Sequence, residues 1–157
     1  MSIMKISIIS VLILGAFIFS CAGKPNRNYP TKKEPISDPP SYDANRGEGK
    51  FSDSNVVVGK LHHNMATNGK SISETKCFSC HKITDEKLVG PGWKGVSERR
   101  KPYWIMNFIT NPDAMIDKDP EVQAQLELCL VRMPNQNLSD KDARSILEFM
   151  RQNDDVK

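Results

Sequence analysis

The stretch CFSCH at positions 77–81 places two thiols and an imidazole within a single turn of chain. Three chemistries use such a cluster. A structural zinc site needs four ligands, usually in two pairs. Cys77 and Cys80 supply one pair, but a second drawn from Cys129 with His81, or from His62 and His63, lacks finger-like spacing. A redox dithiol follows a strand and opens a helix in a βαβ setting, and the flanking sequence shows no strand alternation. Covalent haem attachment uses all three residues. Thiols at i and i+3 add across the two vinyl groups, and the following His lies beneath the iron.

The surrounding chain reads as helical. KPYWIMNFITNP, residues 101–112, sets Trp104, Ile105, Phe108 and Ile109 on one face. Asn111 and Pro112 end it, because a residue before proline is pushed out of the helical region. Asp119 followed by Pro120 reads as an N-cap and first helical position. Behind it Val122, Leu126, Cys129 and Leu130 are expected on one inward face. In LSDKDARSILEFMRQN, residues 138–153, Ser139 and Asp142 have capping-box spacing and Ala143, Ile146, Leu147 and Met150 repeat at helical intervals. His63 to Lys76 reads as helical in part, with Gly69 weakening it. Val56 to Val58 are β-branched but too few for a strand. The fold class is mainly α.

Upstream, the composition changes twice. Met1 to Ser10 carries one cation, Lys5, and no acid, and ISIISVLILGAFIFS at 6–20 is apolar with small polar interruptions. A charged start followed by a short apolar region is the pattern of an export signal. Residues 1–20 are therefore expected to be a signal peptide. A membrane-spanning helix needs roughly 20 mainly apolar residues, and the chain turns polar directly after Ala22. Residues 21–55 hold five prolines and few large apolar side chains. Such a segment cannot offset its ordering entropy by burial and is expected to be a disordered linker. The domain is then expected over 56–157, roughly 100 residues, enough for one small core that a bound cofactor would help to stabilise. The net charge of +3 and the lack of a Lys/Arg stripe argue against nucleic acid as a partner. Lys82, Lys87, Lys94, Arg99, Arg100 and Lys101 form a basic stretch that could steer an acidic redox partner or simply be solvated.

Several ordered segments between Met65 and Asn153 resemble class I cytochrome c, the small monohaem electron carriers. Gly69 and Lys70 stand just before the attachment motif, VGPGWKGV at 89–96 follows it, and MPNQNLSDKDARSILEFM at 133–150 resembles the region of the sixth ligand and last helix. The resemblance implies a small helical fold wrapped around one covalent haem c, with N- and C-terminal helices crossing where Gly69 meets the aromatic Phe149. It implies thioether links at Cys77 and Cys80, His81 as proximal ligand, and the Pro91 carbonyl bonded to its other ring nitrogen. Met133, before Pro134 and outside a helix, is implied as distal ligand in preference to Met65, Met106, Met115 and Met150. Trp93, Tyr103 and Trp104 are expected in the pocket or core, one indole being a candidate for a haem propionate. His62 and His63 are expected at a solvated helix end and Cys129 as a buried free thiol. The stretch from Asn111 to Arg132 departs from the shortest members and reads as a local insertion.

The apolar run also resembles a bacterial lipoprotein signal ending at Cys21, although Phe19 stands where a small residue is usual. Cleavage before Cys21 would expose the thiol for lipidation. Together the resemblances imply an electron carrier rather than an enzyme. It would be a monomer, tethered by Cys21 to the periplasmic side of a bacterial membrane and shuttling electrons between redox proteins. The alternatives are a haem subunit of an extracytoplasmic oxidoreductase, acting on peroxide or sulfur compounds, and a haem-based sensor.

Overall fold

Helix α1, His63–Lys76, presents a stripe of small buried residues, Ala66, Gly69 and Ser73, in the computed structural model, which describes residues 42–157. The export signal, Cys21 and the first part of the expected linker lie outside the described residues. The small stripe lets α1 approach the last helix, Asp140–Asn153, closely along their shared interface. Between them in sequence lie α2 (Val96–Arg99), α3 (Pro102–Thr110), α4 (Pro112–Lys118) and α5 (Pro120–Cys129), which makes the last helix α6. The described residues contain no strand and no helix long and apolar enough to cross a membrane.

Local chemistry sets these boundaries. Proline occupies an early position in α3, α4 and α5, where its missing N–H costs nothing. The Asp119 side chain accepts from the Glu121 and Val122 amides at the head of α5. At α6, Ser139 and Asp142 form the reciprocal capping box. The core combines Ile105, Met106 and Ile109 of α3 with Ile146, Leu147 and Met150 of α6, and adds Met115 and Ile116 of α4.

Three expectations need correction. The chain packs well before Val56: Phe51 is buried in the core, and Tyr42 donates to Asp119 at 2.5 Å. Residues 42–55 thus form a strap across the domain rather than free linker. Asn107, 1% exposed, bonds the strap at Phe51 N–H, Phe51 O and Arg46 O. These side-chain-to-backbone bonds offset the strap's poverty in apolar residues. Second, Leu130 is 84% exposed. It adopts a left-handed conformation (φ 59°) that closes α5, its N–H returning to Leu126 O, so the backbone turns its side chain off the inward face. Third, the nearest neighbours of Gly69 are the backbone atoms of Ser145 and Ile146, not the Phe149 ring. Phe149 instead packs with Phe78 and Trp93.

Buried Glu148 fastens the start of α1 to α6. It accepts from Arg144 and Arg151, one turn to either side, and from the His62 amide. The two arginines also hold the carbonyls of Val57 and Gly59. Ordered paired charges of this kind satisfy one another in a site where a lone carboxylate would be costly.

Candidate functional site

The attachment segment continues α1 by one further turn. Cys77 N–H donates to Ser73 O at 2.8 Å, and the amides of Cys80 and His81 return to Cys77 O at 3.0 and 2.9 Å. That turn brings Cys77, Cys80 and His81 to the wall of one cavity of about 240 Å³. The loop at 89–96 folds back on the same turn: Gly90 N–H donates to Cys80 O at 2.8 Å and Trp93 N–H to Lys82 O at 2.9 Å. The fold-back positions the Pro91 carbonyl 2.8 Å from His81 Nδ1. Gly90 makes room for this. A Cβ there would lie 2.4 Å from His81 Cε1.

Burial lowers the His81 pKa and outweighs the Pro91 bond, which favours the protonated ring. The imidazole is therefore neutral, with Nδ1–H donating to Pro91 and the Nε2 lone pair free of any protein hydrogen bond among the described residues. A carbonyl on one ring nitrogen fixes the tautomer and raises the basicity of the other. Burial also pushes the Cys77 thiol up, against the Ser73 hydroxyl and Lys76. A redox-active dithiol requires the opposite shift. The zinc reading fares no better, since no cluster of three His, Cys, Asp or Glu exists among the described residues.

The cavity is also lined by α3, α5 and the segment after α5. Met133 is half-buried and lines the cavity with Val122, Leu126, Ile109 and Met150. Its loop is tied down on both sides. Arg132 donates to Asp113 at 2.7 Å and Asp117 at 3.0 Å on α4, while Lys76 of α1 holds Gln136 O at 3.0 Å. Met106 and Met115 are core side chains away from the cavity wall. Met115 Sδ instead accepts from the Glu48 amide of the strap. His62 and His63 are exposed and contribute nothing to the wall.

A largely apolar cavity lined by two thiols, a neutral imidazole with an oriented ring, and a thioether suits covalent haem. The family comparison decides between this and any other large apolar ligand, for the cytochrome c profile matches residues 66–154.

The chain belongs to the cytochrome c family.

It carries one covalent haem c and works in haem-based electron transfer. Among solved structures, cytochrome c from Rhodothermus marinus is 32% identical, with a TM-score of 0.64 over 71% of this chain and 93% of that one. An engineered form of the same protein is 31% identical with a TM-score of 0.63, over 71% of this chain and 94% of that one. A second engineered form, bound to a carbene intermediate, is also 31% identical, with a TM-score of 0.60 and the same coverage. No match was found among curated proteins.

Sequence reasoning missed parts of this cytochrome's cavity. Cys129 is half-buried and lies on the cavity wall rather than in the core. Its helical register with Val122 and Leu126, both wall residues, was the available signal. Arg99 and Arg100 also reach the wall. Arg100 stacks over Trp104 at 4.4 Å and pairs with Glu121. Other members of the basic stretch are engaged too: Lys82 with Glu86, Lys94 with Asp155, and Lys87 with the Leu128 carbonyl. The Trp104 indole N–H goes to Asp119 at 2.9 Å, so it is not available to a propionate. Trp93 packs beside His81, ring centroids 5.7 Å apart.

Proposed function

We propose that this cytochrome is a membrane-tethered, one-electron carrier with His81 and Met133 as axial ligands, working between extracytoplasmic redox proteins as a monomer. Cys77 and Cys80 would hold the haem by thioether bonds. The bound haem supplies a single iron that alternates between ferric and ferrous states. Pro91 orients the His81 ring and raises the basicity of Nε2, which would hold the iron. Met133 supplies a thioether, which favours ferrous iron and raises the potential relative to a second imidazole. The apolar wall from α3, α5 and α6 excludes water and keeps the polarity around the site low.

The observation that carries the reading is the shared cavity. His81, held by Pro91 at 2.8 Å, and Met133, held by its tied loop, line the same space. If His81 and Met133 both held the iron, no position would be left for a substrate, which favours a carrier over an enzyme. The lipoprotein-like end of the apolar run at Cys21 supports anchoring on the periplasmic side of a bacterial membrane.

The absorption spectrum of the haem-loaded protein, with and without Met133→Ala, tests the ligation. A sulfur-to-iron charge-transfer band that the substitution abolishes supports it. A high-spin ferric spectrum unchanged by the substitution overturns it. Lipid labelling that Cys21→Ser eliminates tests the anchor. The engineered relative that holds a carbene intermediate gives specific weight to a second reading, an enzyme with an open distal side. Binding of CO or cyanide without displacement of Met133 would favour that reading, and peroxide or sulfur compounds would then be the substrates to try.

A further inference from the structure

The Asp119 carboxylate, 1% exposed, joins three parts of the molecule. One oxygen accepts the amides of Glu121 and Val122 in the first turn of α5, at 2.9 and 3.1 Å. The other accepts the Tyr42 hydroxyl from the strap at 2.5 Å and the Trp104 indole from α3 at 2.9 Å. The residues that follow on α5, Val122, Leu126 and Cys129, line the cavity, and the chain then turns at Leu130 into the segment that carries Met133. The strap is also attached to α3 and α4. Asn107 of α3 holds Phe51, and Glu48 pairs with Lys118 of α4 at 3.1 Å. The strap lies upstream of residues 66–154, where the family profile matches. Nothing in the attachment motif or its loop requires it.

We propose that Asp119 is a positioning residue for the electron-transfer site: through it, Tyr42 of the strap fixes α5 and the Met133 loop against the cofactor, so that the strap sets the redox potential. Hydrogen bonds to an ionised group are stronger than neutral ones, and this one is part-buried beside an indole N–H and a helix end. Breaking it loosens α5 against the cavity, because apart from the Trp104 bond the ties left on α5 and its loop, Arg132 with Asp113 and Asp117, Lys76 with the Gln136 carbonyl, Arg100 with Glu121 and Lys87 with the Leu128 carbonyl, are solvent-exposed and weak. A Met133 thioether held less firmly favours ferric iron and lowers the potential. The link from strap to potential rests on Met133 as axial ligand, whereas the link from strap to α5 does not.

The test uses the full-length haem-loaded protein and two variants. Tyr42→Phe removes only the hydroxyl. Asp119→Asn keeps a good N-cap through its one oxygen, but turns an NH2 group towards Tyr42 and Trp104, so the Tyr42 bond becomes neutral and the indole N–H loses its acceptor. Three quantities are measured in each: amide exchange along α5, the alkylation rate of the Cys129 thiol, and the midpoint potential with the charge-transfer band followed against pH. In Tyr42→Phe, exchange from Glu121 to Cys129 and alkylation of Cys129 should rise roughly tenfold, the factor that corresponds to about 1.4 kcal/mol. The midpoint potential should fall, and the band should be lost at lower pH. Exchange in α1 and α6 should stay as in the parent, and Asp119→Asn, which also loses the Trp104 bond, should exceed Tyr42→Phe in α5. Unchanged exchange and alkylation in α5 overturn the proposal. So does faster exchange with the parent's potential and pH profile, which makes the strap a stability element alone. Met133→Ala separates the two readings. If it leaves the band intact, the ligation is wrong, while a shift of α5 exchange together with the potential in Tyr42→Phe still sustains the strap's role.

Discussion

The α-carbon of Gly69 faces the carbonyl oxygen of Ser145 so closely that a Cβ built on it would lie 2.0 Å from that oxygen. The obstacle is backbone in the middle of α6, which cannot turn aside as a side chain can. Gly69→Ala must therefore push α1 and α6 apart over their whole interface. A loss of about 1–3 kcal/mol is expected, the range for overpacked sites. Gly59→Ala is the control, since its Cβ would meet nothing within 4 Å. Chemical denaturation of the haem-loaded variants, compared at equal slope, measures both.

Glu148 is fully buried between two arginines. Glu148→Ala leaves both guanidinium groups without a carboxylate, and also frees the His62 amide. A loss of about 3–5 kcal/mol is expected, as for other broken buried ion pairs. Glu148→Gln keeps the shape and one acceptor, so it should lose less. Thermal melts of the two variants check the order, and equal losses would show that charge contributes nothing there.

Tyr42 of the strap and Asp119 at the head of α5 give the domain opposite pH limits. Burial raises the pKa of Asp119, but the bonds from Tyr42, Trp104 and the two amides outweigh it, and the carboxyl titrates below its ordinary value. Its stabilisation is complete above about pH 4 and is lost as pH falls from there through the folded value. Burial, and then the bond to Asp119, raise the Tyr42 phenol above its ordinary value. Its contribution is complete below about pH 10 and is lost as pH rises beyond it. A stability–pH curve should therefore fall at both ends. Tyr42→Phe should flatten the alkaline limb, and Asp119→Asn should reduce the acid one.

What was legible in the sequence was set by contacts close along the chain. The helices α3 and α6, the Ser139–Asp142 box and the Asp119–Pro120 start depend on residues three or four apart, so periodicity and capping chemistry reveal them. The attachment turn is equally local. Pro91 and Met133 were placed by resemblance, and the fold brings both to His81's cavity or its ring. The strap was not legible because its hold is long-range. Phe51 and Tyr42 look like isolated apolar residues in a polar linker until Asn107 and Asp119 reach them from 56 and 77 positions away. Leu130 was misplaced for a different reason. Helical periodicity assumes that the helix continues, and a single left-handed residue redirects the side chain.

Gly90 gives the sharpest test of the site itself. A Cβ at this position would lie 2.4 Å from His81 Cε1 and 2.8 Å from Nδ1. The ring cannot rotate away freely, because Pro91 holds Nδ1 and Trp93 packs alongside. Gly90 itself is pinned by its N–H to Cys80 O at 2.8 Å, so the loop cannot recede either. Gly90→Ala should displace the imidazole, lengthen or break the Pro91 bond and, with His81 as the proposed proximal ligand, weaken its hold on the iron. Loss of that oriented bond typically reduces metal affinity about 10–100-fold. The expected result is a protein that still attaches haem through Cys77 and Cys80 but shows a mixed or high-spin ferric spectrum and takes up external imidazole readily. A low-spin spectrum identical to the parent, with no response to imidazole, would show that the ring has room the geometry does not provide.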